Sequence, residues 1–303
     1  MSHLSNPIFH DDDKARKWLE ARIWADGVMC PHCGSVDNST KLEGAAHRPG
    51  VYQCNEKECR KQFTVTVGTL FERSKIPLSK WLMATYLLCA SKKGMSTRQI
   101  SRMLGVSVKS TWFMMHRIRE AMRDGDLTPF GQGGTTVEVD ETFIGNKPGA
   151  KVSYGYEHKY KVLSLVERET GRARSIVVND LKTKTVAPIV RANIAREANL
   201  MTDEARHYVK VGREYASHGV VRHMEGDYGR GYTHTNTIEG FFSIFKRGMR
   251  GVYQHCGEKH LHRYLAEFDF RYSERKVSDF ERASLALMGI QGQRLTYRRA
   301  DAG

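Results

Sequence analysis

Hydrophobic spacing divides the chain into segments of different period. In Asp11–Trp24 (DDDKARKWLEARIW), Trp18, Leu19, Ile23 and Trp24 recur at helical spacing behind three acids, predicting a small amphipathic helix. VYQC, ending at Cys54, reads as a strand, and Lys61–Val67 (KQFTVTV) alternates like another. Leu78–Ser91 is apolar nearly all round and predicts a buried helix, begun at Pro77 and ended by Lys92-Lys93-Gly94. Ser96–Leu104 and Lys109–Met122 then read as two helices joined by Gly105-Val106-Ser107. Ile100, Met103, Leu104 and Val106 form the inner face of that pair.

Arg123–Gly134, with four glycines and Pro129, reads as a domain boundary. Beyond it the period shortens. Val137–Gly145, Tyr160–Glu167 and Arg174–Asn179 predict three successive strands, the second and third joined at Glu169-Thr-Gly-Arg172. A helix over Thr185–Ala198 follows, then a very short strand, Leu200–Asp203, and a fifth, central-type strand at Gly219–Arg222. Asn236–Gly248 and Glu258–Arg271 are amphipathic helices, the second with its Arg and Lys residues expected outward. This order is α/β: a mixed sheet that begins as a meander. The expected divisions are 1–70, 71–125, 135–280 and a C-terminal tail over 281–303.

Composition adds a partner. The 303 residues hold 48 Lys+Arg against 34 Asp+Glu, a formal charge of +14, which points to a polyanion such as nucleic acid. No apolar run is long enough to cross a bilayer, and Met1–His10 lacks the layout of a signal peptide, so the expectation is a soluble, cytoplasmic protein.

Four of the six cysteines form two pairs, Cys30-Pro-His-Cys33 and Cys54-Asn-Glu-Lys-Glu-Cys59. Two such knuckles enclose a tetrahedral zinc ion and fold a segment too small for a large core. His32 is a lesser ligand candidate; Cys89 and Cys256 are isolated thiols. In the two-helix unit, the second helix offers Lys109, Ser110, Arg117 and Arg119 to phosphates or base edges if the unit binds a major groove, and packing alone is the other reading.

The remaining chemistry lies in three acids. Asp140 interrupts VEVDETFIG and by alternation shares a face with Glu138 and Thr142, opposite Val137, Val139 and Glu141. Asp203 ends a strand. Asn236, Glu239, Ser243 and Lys246 share one helix face, with Arg247 and Arg250 beside them. If Asp140, Asp203 and Glu239 converge, they offer hard oxygen ligands to Mg2+ or Mn2+ for in-line attack on a phosphodiester, with Lys246 on the neighbouring phosphate.

With CPHCG, CRKQFTVTVGTLFERSKIPLSKW, VEVDETFIG, HTNTIEGFFSIFKRGMRG and HLHRYLAEFDFRY in this order, the chain resembles the DDE transposases of bacterial insertion sequences. The resemblance is closest to the group with an N-terminal zinc ribbon and an ISXO-like catalytic domain. It implies a ribonuclease H-like catalytic domain behind a zinc ribbon and helix-turn-helix. It also implies divalent metals, double-stranded DNA at element ends and target, and action as a homo-oligomer. Asp140 and Asp203 match the family's two aspartates, and thirty-five residues separate Asp203 from Glu239. Some members carry asparagine as the third residue, which leaves Asn236 beside Glu239 for that position. A non-enzymatic DNA-binding regulator and an inactive copy of such an element are the rival readings.

Overall fold

The computed structural model describes residues 3–152, 156–221 and 232–296. Arg222 and the end of the expected loop Gly145–Gly155 lie outside them. The chain forms two compact units: one from the residues up to Ser91 with Met95–Met122 and the residues from Val277, the other from Lys92–Gly94 and Arg123–Lys276.

The first unit opens with α1 (Asp12–Ile23), whose N-terminus is capped by the Asp11 carboxylate, accepting from Asp13 N and Lys14 N at 2.9 and 3.0 Å. A three-stranded antiparallel sheet follows: β1 (Ser39–Leu42), β2 (Val51–Cys54) and β3 (Gln62–Phe63). Trp24 packs edge-on against Tyr52 and Phe63, with ring centroids 5.1 and 5.9 Å away. The alternation of KQFTVTV does not become a long strand. Pairing stops at Phe63 and the chain turns, with Val67 N bonded to Thr64 O and the Thr69 hydroxyl to Thr66 O. Threonine side chains here compete for backbone groups that a ladder would otherwise use.

Four helices complete this unit: α2 (Leu78–Ala90), α3 (Thr97–Leu104), α4 (Val108–Ala121) and, late in the chain, α9 (Asp279–Met288). Asp12 accepts both the N–H and the hydroxyl of Ser79 at the start of α2, at 2.9 and 2.6 Å. Ser96 and Ser107 cap α3 and α4, and Gly105 takes φ +60° at the turn between them. The stretch expected as a tail thus contains a helix, α9, packed on α2 and α4. Cys89 is buried in this unit.

The second unit is a five-stranded mixed sheet. In chain order its strands are β4 (Thr136–Ile144), β5 (Tyr160–Glu167), β6 (Ala173–Val178), β7 (Asn199–Asp203) and β8 (Ser217–Val221). Their order across the sheet is β6-β5-β4-β7-β8; the first three are antiparallel neighbours, while β7 runs parallel to both β4 and β8. The fifth strand is therefore an edge strand, not the central one expected, and its first four positions are all at least partly exposed.

Helices cover both faces. On one lie α5 (Thr183–Asn193) and α6 (Arg206–Gly212), packed against Val137, Val139, Leu163 and Leu165. On the other lie α7 (Asn236–Gly248) and α8 (Glu258–Ser273), packed against Ile144, Tyr160, Val162 and Val166. Strand alternation produces these two apolar faces, and Asp140 lies in β4 among the residues that face α7. One outward expectation fails on α8: Arg271 is buried and paired with buried Glu267. No helix among the described residues is long and apolar enough to cross a membrane.

Candidate functional site

The parallel pairing of β4 with β7 runs Thr136↔Asn199, Val137↔Leu200, Glu138↔Met201. The same offset continued would set Asp140 level with Asp203, two residues past the last paired positions of the two strands. Side chains at one level of adjacent parallel strands point to one face. Burial pushes the Asp140 carboxyl up to about 8, and the negative charges of Glu141, Asp203 and Glu239 push it in the same direction, against the N–H of Glu141. Asp140 thus feels both of the distant acids that the sequence singled out. The Asp203 carboxylate accepts Ala205 N at 3.0 Å; that of Glu239 accepts the Thr235 hydroxyl at 3.0 Å. Asn236 and Glu239, one turn apart on α7, are both exposed.

Lys246, two turns further along α7, lies near Asp140, Arg250 and Lys159. Burial lowers its ammonium pKa, while Asp140 raises it. Arg247 and Arg250 are exposed beside it. The carboxylates of Asp140, Asp203 and Glu239 are not among the groups of the described residues whose ligand atoms meet closely enough to share an ion.

A second layer of buried polar groups holds these acids. Glu138 is fully buried; one carboxylate oxygen accepts Ile238 N in the first turn of α7 at 2.8 Å, and the other pairs with Arg168 Nε. Arg168 also donates to the carbonyls of Tyr232 and His234, fixing the entry to the helix that carries Glu239. On the opposite face Glu141 accepts the hydroxyl of buried Tyr208 at 2.8 Å, with His207 Nε2 at 3.5 Å. Alternation assigns Glu138 and Glu141 to their faces, but nothing in the sequence joins Glu138 to Arg168 or Tyr208 to Glu141.

The four cysteines form a second centre. Their sulfurs all lie within 4.8 Å of one another, with Cys30–Cys59 at 3.8 Å and Cys33–Cys54 at 3.6 Å. A zinc ion with Zn–S bonds of about 2.3 Å requires sulfurs about 3.8 Å apart. Thiolate donors at that separation fit zinc, and they are the group among the described residues whose ligand atoms meet so closely. Gly34 takes φ +79° in the first knuckle, and Arg60 closes the wider second one at φ +47°.

On α4 the candidate DNA contacts separate. Lys109 and Ser110 are exposed in its first turn. Arg117 is half-buried and donates to the carbonyls of Leu295 and Glu72 at 3.1 and 3.2 Å. Arg119 is only 1 % exposed and belongs to the core. Burial of this side of α4, with Met115 and Ile118, is what removes Arg119 from the set available to a phosphate.

Residues 132–273 match the ISXO2-like transposase domain, and residues 10–62 match the transposase zinc-ribbon domain. The chain carries an ISXO2-like transposase domain with a transposase zinc ribbon ahead of it. The transposase match takes in all five strands of the second unit with α7 and α8, and the zinc-ribbon match takes in all four cysteines. A similar protein occurs in Halobacterium salinarum, where it is described as an uncharacterized protein in transposable element ISH50. It is 28% identical over 290 residues, covering 87% of this chain and 91% of that protein.

Proposed function

We propose that the chain binds the ends of an insertion sequence and catalyses their metal-dependent cleavage and strand transfer. One observation carries the reading: Asp140 and Asp203 each lie two residues past the last paired positions of parallel strands β4 and β7, and Asp203 and Glu239 both raise the Asp140 pKa. The sheet order, three antiparallel strands and then two parallel to the first, supports a ribonuclease H-like fold. The paired helices α3 and α4, each capped by serine and joined by a glycine-containing turn, support a helix-turn-helix.

Asp140, Asp203 and Glu239 would hold magnesium or manganese. Their donors are carboxylate oxygens, the type these ions take, and crowding of like charge at Asp140 is what a cation relieves. Bound there, such ions activate a water or 3′-hydroxyl and stabilise the leaving oxygen. Lys246 pairs with the phosphate beside the scissile bond. Glu138 and Arg168 set the start of α7 and so the position of Glu239. Lys109 and Ser110 contact duplex DNA at the element ends, the cysteines hold structural zinc, and the protein works in the cytoplasm, on the nucleoid, as a homo-oligomer.

The decisive experiment compares Asp140→Asn with the native chain on duplexes carrying the terminal repeats. With magnesium the variant should lose hydrolysis and strand transfer together while still binding the ends. Cleavage by Asp140→Asn at the native rate would sink the assignment.

A further inference from the structure

Beyond the acid cluster, β4 ends in a cavity of about 560 Å3. Its walls come from Phe143–Asn146, from Lys159 and Tyr160 at the start of β5, and from the segment Met249–Gly257 that follows α7. All three walls belong to the same compact unit. The volume lies within the range of small-ligand sites, roughly 300–1,000 Å3.

The composition of the walls is specific. Lys159 and Arg250 supply two cations, and both lie near Lys246, which also lies near Asp140. Phe143 supplies an aromatic wall; outside the lining, the exposed ring of Tyr156 packs against it at 4.9 Å, with Lys159 Nζ 4.9 Å from the centre of that tyrosine ring. Asn146 and Gln254 add amides that can both donate and accept. Cations, an aromatic platform and amides are the groups that bind a phosphate, stack a base and read its edge.

The third wall is held in an unusual backbone conformation. Met249–Tyr253 is a π-helical turn closed by Gln254 N to Met249 O at 2.7 Å. Gln254 then adopts φ +56°, ψ −55°, and His255 N bonds Tyr253 O at 2.6 Å, a γ-turn of the strained kind. Such strain persists only where surrounding structure imposes it, and it gathers at ligand sites. Here the Tyr253 ring, 4.8 Å from that of Tyr264 and 6.2 Å from that of Phe268, fixes the turn.

We propose that this cavity receives one unpaired nucleotide of the DNA strand being processed, its phosphate on Lys159 and Arg250 and its base against Phe143 and Tyr156. The proposal rests on the DNA-processing reading above and adds a pocket to it. Through Lys246, the nucleotide sits next to the phosphate in the acid cluster. A base drawn out of the helix there opens the duplex where the strand must be cut.

The test uses the full-length, zinc-loaded protein without magnesium or manganese, so no cleavage intervenes. Two 20-base-pair duplexes are compared by fluorescence anisotropy, one fully paired and one with a single bulged 2-aminopurine. The native chain should bind the bulged duplex about tenfold more tightly, the scale of one base stacked on an aromatic ring, and the probe's fluorescence should change on binding. In Phe143→Ala, which removes the stacking ring, and in Gln254→Gly the affinity ratio should fall toward one. Glycine suits the positive φ at 254, so the second variant removes the amide without opposing the fold.

Equal affinities in the native chain, or a preference that persists in both folded variants, would overturn the proposal. Displacement of the bulged duplex by micromolar deoxyadenosine monophosphate would instead assign the cavity to a free nucleotide. A chain that prefers the bulge but never cuts DNA with magnesium would defeat the catalytic reading and leave the pocket standing. Cutting without the preference would do the reverse.

Discussion

A carboxylate oxygen of Glu138 accepts the backbone N–H of Ile238 at 2.8 Å, tying the strand that carries Asp140 to the first turn of the helix that carries Glu239. The bond satisfies one of the N–H groups that a helix leaves unpaired at its start. It also places negative charge at the positive end of the helix dipole. Arg168 supplies the compensating charge for a carboxylate that water does not reach. The same pair therefore sets the spacing between two of the three acids.

Glu138→Gln should keep an acceptor for Ile238 N but lose the ion pair. On this reading Glu138 positions Glu239 and does not touch DNA. Magnesium-dependent cleavage should then fall about 10- to 100-fold in kcat, with KM for the DNA end little changed, as for groups that support metal ligands. Arg168→Ala strands a buried charge and should cost about 3–5 kcal/mol in denaturant unfolding. A KM effect alone in Glu138→Gln would place Glu138 in DNA binding instead.

Asp140→Asn should stabilise the metal-free protein while abolishing cleavage. Asp140 is crowded by Glu141, Asp203 and Glu239, and the amide removes its share of that repulsion. Magnesium should raise the thermal midpoint of the native chain more than that of the variant, because binding to the folded state alone stabilises it. A lower midpoint for metal-free Asp140→Asn would make the carboxylate a structural group.

Asp269, buried on α8, accepts Ser175 N at 2.8 Å and the Ser175 hydroxyl at 2.7 Å from β6. Burial raises its pKa to about 7 despite these bonds. Between pH 4 and 7 the folded chain holds a proton there that the unfolded chain has released, so stability declines as pH rises across this window. Asp269→Asn should flatten that part of a plot of thermal midpoint against pH. An unchanged slope in the variant would assign the dependence to other groups.

How much of this was legible depended on the range of the interaction. Local periodicity located β5 and α7 to the residue and placed Asp140 on one face with Glu138 and Thr142. It could not show that Gly219–Val221 lies at a sheet edge, because strand order is a matter of long-range pairing. Arg119 and Arg271 read as surface cations because charge usually marks solvent, yet both are buried. The Arg168–Glu138 link joins residues thirty positions apart and has no sequence signature. Cysteine spacing succeeded because two knuckles constrain four ligands locally, so the sulfur cluster follows with little dependence on the rest of the fold.

The cysteine centre makes its own prediction. The purified chain should contain one zinc per molecule at this site, measured by atomic emission. Cys33→Ser should lose it and unfold the segment around β1–β3. Zinc contributes on the order of 10–16 kcal/mol to folding such minimal modules. Only a small hydrophobic cluster around Trp24, Tyr52 and Phe63 would remain to hold it. Full zinc content with native thermal behaviour in Cys33→Ser would exclude the four-sulfur site.

The charged residues of α4 separate recognition from packing. Lys109 is exposed in the first turn, where a helix entering a major groove makes its contacts. Lys109→Ala should weaken binding to duplex ends and reduce the slope of log affinity against log salt by about one, the loss of one phosphate contact. It should leave the thermal midpoint where it was. Arg117 donates to two main-chain carbonyls, and Arg119 is sealed in the core. Arg117→Ala and Arg119→Ala should therefore lower the midpoint, with the salt slope retained in whatever protein stays folded. A reduced slope in Arg119→Ala with an unchanged midpoint would mean that α4 turns this residue outward on DNA.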